Sequence, residues 1–145
     1  MLNLDKNIIF CDDNHKMNRN QYPKFVIIKN SIMENTANNP VKQFIQYLNE
    51  ENFDKAETCL DPEFKFKGVM GSRENAAVYI KDMKQMKFKY KIQKLFTANE
   101  DVCLWYDIDM GEKTITACGW YRVADGKIKS LEVLFDPRPL LDHQK

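Results

Sequence analysis

The sequence predicts an α+β domain, with helices in its first half and an antiparallel sheet in its second. Between residues 40 and 86, apolar residues recur at the three- and four-residue spacing of amphipathic helices. From residue 88 to residue 135, apolar and polar residues alternate with a period of two, which is typical of strands with one buried face. Short turn sequences interrupt this alternation three times. The second half is therefore predicted to be a four-stranded antiparallel meander.

Residues 1–38 are predicted to form a variable, partly flexible extension. Nine asparagines fall within residues 1–39, and polar residues without a regular period separate two short apolar segments. The alternative for the second of these segments, Phe25–Ile28, is a short strand added to a sheet edge.

Three helices are predicted between this extension and the meander. The first begins at Asn39-Pro40, because asparagine caps helix N-termini and proline suits the first helical position. The second follows Asn52 and ends before Asp61. After a short strand at residues 63–67, a third helix extends to about Met86.

Three turns divide the meander. Asn99-Glu100 joins the first two strands, and Gly111-Glu112 fits a two-residue loop before the third. Asp125-Gly126 then predicts a type I′ hairpin, since both central residues of that turn need positive φ angles. Asp136-Pro137 ends the last strand, because proline lacks the N–H that a β-ladder needs.

These turns determine which side chains share a face of the sheet, provided that no strand carries a bulge. The first face is largely aromatic and holds Phe88, Tyr90, Ile92, Phe96, Cys103, Trp105, Asp107, Asp109, Thr114, Thr116, Cys118, Trp120, Leu131, Val133 and Phe135. The second face holds, at its centre, Leu104, Tyr106, Ile108, Ile115, Ala117, Tyr121, Val123 and Ile128. Both faces therefore require burial. One layer of helices covers only one face, so the other is expected to meet a second sheet.

Three segments resemble the nuclear transport factor 2-like (NTF2-like) superfamily, in particular its SnoaL-like, ketosteroid-isomerase-like branch. They are NPVKQFIQYLNEENFDKAETCLDPEFKF at residues 39–66, GSRENAAVYI at residues 71–80 and WYRVADGKIKSLEVLFDPRPL at residues 120–140. The resemblance implies a domain at residues 39–140 and a tail at residues 141–145. It also implies a cystatin-like cone, in which three helices pack on a curved four-stranded meander with a short extra strand and leave a pocket. Such domains often form homodimers through the outer faces of their sheets.

Asp107 is the leading catalytic candidate. The predicted register places it mid-strand on the aromatic face, opposite Thr116, where a carboxylate loses hydration and suits the role of general base. The resemblance implies that family enzymes which isomerise ketosteroids or open epoxides use carboxylates and tyrosines in this cavity. Tyr90 and Asp109 are the predicted helpers. The structural alternative is that Asp107 and Asp109 only flank the hairpin at Gly111.

Trp105 and Trp120 are the leading candidates for pocket walls. They share the aromatic face one strand apart, where their indoles would stack on a flat or alicyclic ligand. The alternative is a role in the core. The other predicted pocket residues are Ile92, Phe135, Tyr79, Thr116 and Cys118.

The predicted function is a SnoaL-like small-molecule pocket protein that binds an apolar or cyclic ligand in the cone. One alternative is a cofactor-independent isomerase, cyclase or hydratase of the ketosteroid-isomerase type, with Asp107 as general base. A second alternative is a protein-interaction module. No cofactor is expected for any of these functions.

Composition limits the partners. With 22 basic and 21 acidic residues, the net charge of +1 provides no strong field for nucleic acid or an anionic membrane. The sequence contains neither an apolar run of about 18 residues or more nor a secretory signal, so a cytoplasmic location is expected. Because His15 and His143 lie in opposite tails, no histidine-based metal site is expected. For Cys103 and Cys118, free thiols are favoured over a disulfide.

Overall fold

The structure is a computed structural model that describes residues 24–141, with the side chains of residues 37–141. Within that range the helices are α1 (Lys24–Asn49), α2 (Phe53–Thr58), α3 (Ala76–Met86) and α4 (Arg138–Leu141). The strands are β1 (Leu60–Gly68), β2 (Gly71–Arg73), β3 (Lys89–Ala98), β4 (Asp101–Asp109), β5 (Thr114–Ala124) and β6 (Lys127–Phe135). The predicted order of helix, helix, short strand, helix and four long strands is confirmed, with β2 and α4 as additions.

All six strands form one sheet in the order β2-β1-β6-β5-β4-β3. Strands β3 to β6 are the predicted antiparallel meander. Strand β1 runs parallel to β6 and pairs with β2 in a hairpin. Helix α1 packs across the meander, and its residues Phe44 and Leu48 belong to the same buried core as Leu104 and Tyr106. The predicted α+β architecture, with helices packed on one face of the sheet, is confirmed.

The predicted turns close the meander as the sequence indicates. The two-residue loop before β5 is closed by a hydrogen bond from the Met110 amide to the Lys113 carbonyl, at 2.8 Å. Its first residue, Gly111, has a φ angle of +93°. In the β5–β6 hairpin, Asp125 and Gly126 have φ angles of +54° and +73°, as a type I′ turn requires.

Two strands of the meander, β3 and β6, each contain one extra residue. In β3, Ile92 pairs with Tyr106 but Lys94 pairs with Trp105, which leaves Gln93 without an opposite residue on β4. In β6, Ser130 pairs with Arg122 but Ile128 pairs with Val123, which leaves Lys129 without an opposite residue on β5. Each extra residue is a β-bulge, and it moves the side chains beyond it to the opposite face of the sheet.

The predicted assignment of the strands to faces was wrong because of these bulges. The inner face, which meets the helices, combines the second predicted face with residues of the first: Phe88, Tyr90, Ile92, Leu131, Val133 and Phe135. The outer face keeps the rest of the first predicted face, including Phe96, Cys103, Trp105, Asp107, Asp109, Thr116, Cys118 and Trp120. The aromatic face described above is thus divided between the two sides of the sheet.

Helix α1 begins far before the predicted start. Its first residue is Lys24, so Pro40 lies inside the helix and Phe25–Ile28 is helical; both the start at Asn39 and the edge-strand alternative were wrong. The buried face already includes Ala37, one turn before Val41, and packing along this face outweighs the local signal of the proline. Residues 1–23 and 142–145, to which the rest of the predicted extension and tail belong, lie outside the described residues. No helix in residues 24–141 is long and apolar enough to cross a membrane.

Candidate functional site

A cavity of about 320 Å³ lies between the inner face of the sheet and the helices. The α1 wall is apolar and consists of Phe44, Ile45 and Leu48. Helix α3 contributes Tyr79, Asp82, Met83 and Met86, which follow the i, i+3, i+4, i+7 spacing of one helix face. The sheet contributes Tyr90, Tyr106, Ile108, Tyr121, Val133 and Phe135. The cavity therefore has a mainly apolar and aromatic wall.

Four tyrosines line the cavity. The rings of Tyr90 and Tyr106 lie 5.8 Å apart, and the Tyr90 hydroxyl donates to the sulfur of Met83 at 3.5 Å. Burial raises the pKa of Tyr90 and Tyr106 above the ordinary range, and it does the same for Tyr79 and Tyr121. All four hydroxyls thus remain protonated near neutral pH and are neutral polar groups in the cavity wall.

Gly119 makes room for one of these hydroxyls. It lies on the inner side of β5, directly opposite Leu104 on β4. A Cβ atom at this position would lie 2.8 Å from the Tyr106 hydroxyl oxygen and 3.1 Å from the Tyr121 ring. The tyrosine pair therefore fits only because residue 119 has no side chain.

The mouth of the cavity carries the only charged side chains among the residues that line it. Arg73 of β2 donates from Nε to Asp82 Oδ2 at 2.5 Å and from Nη1 to the Ser72 carbonyl at 2.7 Å. Val69 and Met70, at the tip of the β1–β2 hairpin, expose apolar surface beside this ion pair. The opening is therefore apolar with one paired positive and negative charge.

The predicted site residues do not come together. Tyr79, Tyr90 and Phe135 line the cavity, whereas Ile92 packs against the core beside it. The remaining predicted residues lie on the outer face: Trp105, Asp107, Asp109, Thr116, Cys118 and Trp120. Asp107 does pair with Thr116 as predicted.

Asp107 and Asp109 make contacts typical of structural carboxylates. Asp107 accepts hydrogen bonds from Thr116 Oγ1 at 2.9 Å and from the bulged residue Gln93 at 2.7 Å. Asp109 accepts the amide of Gly111 at 2.8 Å, within the hairpin turn. The prediction of Asp107 as a general base required a desolvated position on a face shared with Tyr90 and Ile92. The bulge in β3 turns those two side chains to the inner face, whereas Asp107 lies on the outer face.

Trp105 and Trp120 expose about half of their surface, 50% and 42%, on the side of the sheet opposite the cavity. The Trp120 indole donates to Asp101 at 2.9 Å. Between them, Cys103 and Cys118 are free cysteines with their sulfur atoms 3.3 Å apart. Burial and the contact with Cys118 raise the pKa of the Cys103 thiol to about 11, which keeps it protonated.

Sequence reasoning missed Arg73 and Asp82. A signal for Asp82 was present, because it follows Tyr79 by three residues and precedes Met86 by four, on the cavity side of α3. Arg73 carried no comparable signal, because the strand β2 that positions it has only three residues.

Comparison with known proteins identifies relatives of this domain. The family model described as the SnoaL-like domain matches residues 41–131. An NTF2-like protein of unknown function from Cytophaga hutchinsonii ATCC 33406 is 50% identical; the match covers 72% of this chain and 94% of that chain, with a TM-score of 0.71. No curated protein matches the sequence.

More distant structures share the fold alone. An LEH-like epoxide hydrolase from M. tuberculosis is 19% identical over 75% of this chain and 89% of its own, with a TM-score of 0.65. A de novo designed protein with a curved β-sheet is 17% identical over 71% of this chain and 87% of its own, with a TM-score of 0.63. The curved sheet under the helices is therefore common to natural and designed sequences.

Gly119→Ala is expected to destabilise the protein by about 1–3 kcal/mol, because the new methyl group crowds Tyr106 and Tyr121. Tyr106→Phe removes the nearest atom, so the cost of Gly119→Ala should fall by about 1 kcal/mol in the double variant. Urea unfolding of the four proteins in this cycle measures the coupling. Strictly additive effects of the two substitutions would contradict the close contact.

Proposed function

Because this chain belongs to the SnoaL-like domain family within the NTF2-like superfamily, we propose that it binds an apolar or cyclic small molecule in the cavity under the helices. The observation that carries the proposal is the cavity itself. Its volume of about 320 Å³ is at the lower end of the range for small-molecule sites, and its walls are apolar and aromatic with a few hydroxyl donors. Displacing water from such walls favours a compact, largely apolar ligand.

Binding without catalysis is better supported than an isomerase, cyclase or hydratase reaction through Asp107. That carboxylate faces away from the cavity and is engaged by Thr116 and Gln93. The carboxylate that does line the cavity, Asp82, is held by Arg73 at 2.5 Å. A base must approach the proton that it removes, and the contact with Arg73 holds the Asp82 carboxylate in place.

Substitutions at two adjacent residues of β6 separate the cavity from the outer face. Val133 lines the cavity, whereas Leu134 is 70% exposed on the other side of the sheet. Val133→Phe fills part of the cavity, so we expect the Kd for a bound cyclic hydrocarbon such as decalin to rise at least tenfold, about 1.4 kcal/mol. Leu134→Phe is the matched control and should leave the Kd unchanged.

Isothermal titration calorimetry measures both constants, and urea unfolding confirms that each variant is folded. If Val133→Phe proves unstable, Phe135→Trp fills the same cavity from the same strand. The proposal fails if decalin and related cyclic compounds do not bind the wild-type protein. It also fails if Leu134→Phe weakens binding and Val133→Phe does not.

We also propose that the outer face of the sheet packs against a second copy of this chain. Phe96, Trp105, Trp120 and Leu134 expose large apolar surfaces on this face, from 42% to 70% of each residue. Asp101 and Arg122 form an ion pair at 3.8 Å on the same face, so the face carries no net charge from this pair that would repel a second copy. A net charge of +1 adds little repulsion between copies.

Trp105→Glu is expected to weaken this self-association at least about 30-fold, because a central tryptophan is replaced by a charge in a desolvated contact. Met70→Glu is the control: it adds the same charge at an exposed apolar residue at the cavity mouth. Sedimentation velocity over a series of protein concentrations measures both variants. A wild-type protein that remains monomeric at all concentrations would refute the contact, as would dissociation caused by Met70→Glu alone.

A further inference from the structure

The ion pair at the cavity mouth has hydrogen-bonding capacity that the described residues do not use. A guanidinium has five N–H donors, and Arg73 uses one toward Asp82 and one toward the Ser72 carbonyl. Asp82 accepts its bond through Oδ2, and no side chain or amide in residues 37–141 donates to Oδ1. Donors and an acceptor therefore remain available side by side at the mouth.

This pair differs from the other polar groups of the cavity. The tyrosine hydroxyls are neutral, and that of Tyr90 already donates to Met83, whereas Asp82 Oδ1 offers an acceptor beside the remaining Arg73 donors. The Asp82 side chain is only 28% exposed, so water competes less for it than for a surface carboxylate. A ligand group that both donates and accepts a hydrogen bond would be held by both residues.

We propose that the ligand is a cyclic alcohol or a similar neutral amphiphile, with its apolar body in the cavity and its hydroxyl between Arg73 and Asp82. The proposal rests on the small-molecule binding proposed above and specifies the ligand's class and orientation. The hydroxyl accepts from one of the remaining Arg73 N–H groups and donates to Asp82 Oδ1, so both hydrogen-bonding functions of the hydroxyl are used.

The charge of the pair excludes charged head groups. Arg73 and Asp82 compensate each other, so the mouth has no net charge to attract an ion. A carboxylate on the ligand would meet Asp82 at close range, and an ammonium group would meet Arg73. Either ion would also lose its hydration at a partly buried site without a free counter-charge.

Four compounds test this orientation: decalin itself and its alcohol, carboxylate and amine derivatives, each of which carries a single substituent. By calorimetry, we expect the alcohol to bind the wild-type protein about tenfold more tightly than the hydrocarbon. It should also bind more tightly than both ionised compounds. This ranking requires no variant, so it tests the proposal even if substitutions at the mouth impair folding.

The double variant Arg73→Met, Asp82→Leu removes both charges together and leaves an apolar mouth. We expect the advantage of the alcohol over the hydrocarbon, measured as the ratio of their two Kd values in the same variant, to disappear. The matched control is Asp54→Leu, Lys84→Met, because this pair also joins α3 to a neighbouring element but does not line the cavity. The control should retain the full preference for the alcohol.

The possible results separate this inference from the proposed function. If the hydrocarbon binds but the alcohol gains nothing, or an ionised compound binds most tightly, the head-group assignment is overturned while cavity binding stands. Retention of the preference for the alcohol in the Arg73, Asp82 double variant overturns it as well. If none of the four compounds binds the wild-type protein, the proposed function and this inference are both contradicted.

Discussion

The β-bulges in β3 and β6 determine which side chains of the sheet face the helices. Each of these strands contains one residue that has no opposite residue on the neighbouring strand. Without the bulge at Gln93, Lys89 and Lys91 would point toward the core in place of Tyr90 and Ile92. Without the bulge at Lys129, Glu132 and Leu134 would replace Val133 and Phe135. Unpaired charges buried in this way cost far more than the hydrogen bonds that a bulge disrupts.

Each bulged residue is held by an aspartate on a neighbouring strand. Gln93 donates to Asp107 of β4 at 2.7 Å, and Lys129 donates to Asp61 of β1 at 2.6 Å. The bond to Lys129 lowers the pKa of Asp61, consistent with an ionised carboxylate in this contact. Asp107, an attractive catalytic residue by sequence, therefore has a structural explanation as the partner of a bulge.

The site follows from the same arrangement. Once Tyr90, Val133 and Phe135 face inward, they complete a wall with Tyr106 and Tyr121 that helices α1 and α3 close from above. Gly119 admits the Tyr106 hydroxyl, and β2 brings Arg73 to Asp82 at the opening. A cavity that is apolar inside and carries a compensated ion pair at its mouth favours a compact cyclic molecule with one polar end.

The part of α1 that follows Pro40, the helices α2 and α3, the meander and its turns could be predicted from the sequence, because they depend on local signals. The turn at Asp125-Gly126 is an example, since its two positive φ angles require these residue types. The start of α1 could not be read, because packing of Ala37 and Val41 overrides the usual effect of Pro40.

The bulges produce a weaker sequence signal than the turns do, because each one changes the alternation of apolar and polar residues at a single point. In β3 the inward residues are Tyr90, Ile92 and then Leu95, with one gap of three positions instead of two. In β6 the same gap separates Ile128 from Leu131. A single gap does not reveal which side of it faces the helices until the neighbouring strands are in place, so the faces of the sheet could not be assigned from the sequence alone.

The central claim is that the inner cavity, and not the exposed aromatic outer face, is where a ligand binds. NMR of protein with labelled methionine, valine and leucine methyl groups, titrated with the decalin alcohol, tests it directly. We predict that the methyl signals of Met83 and Val133 shift and show contacts to the ligand, while Leu134 and the indole N–H signals of Trp105 and Trp120 do not. Shifts confined to Leu134 and the two tryptophans would contradict the account.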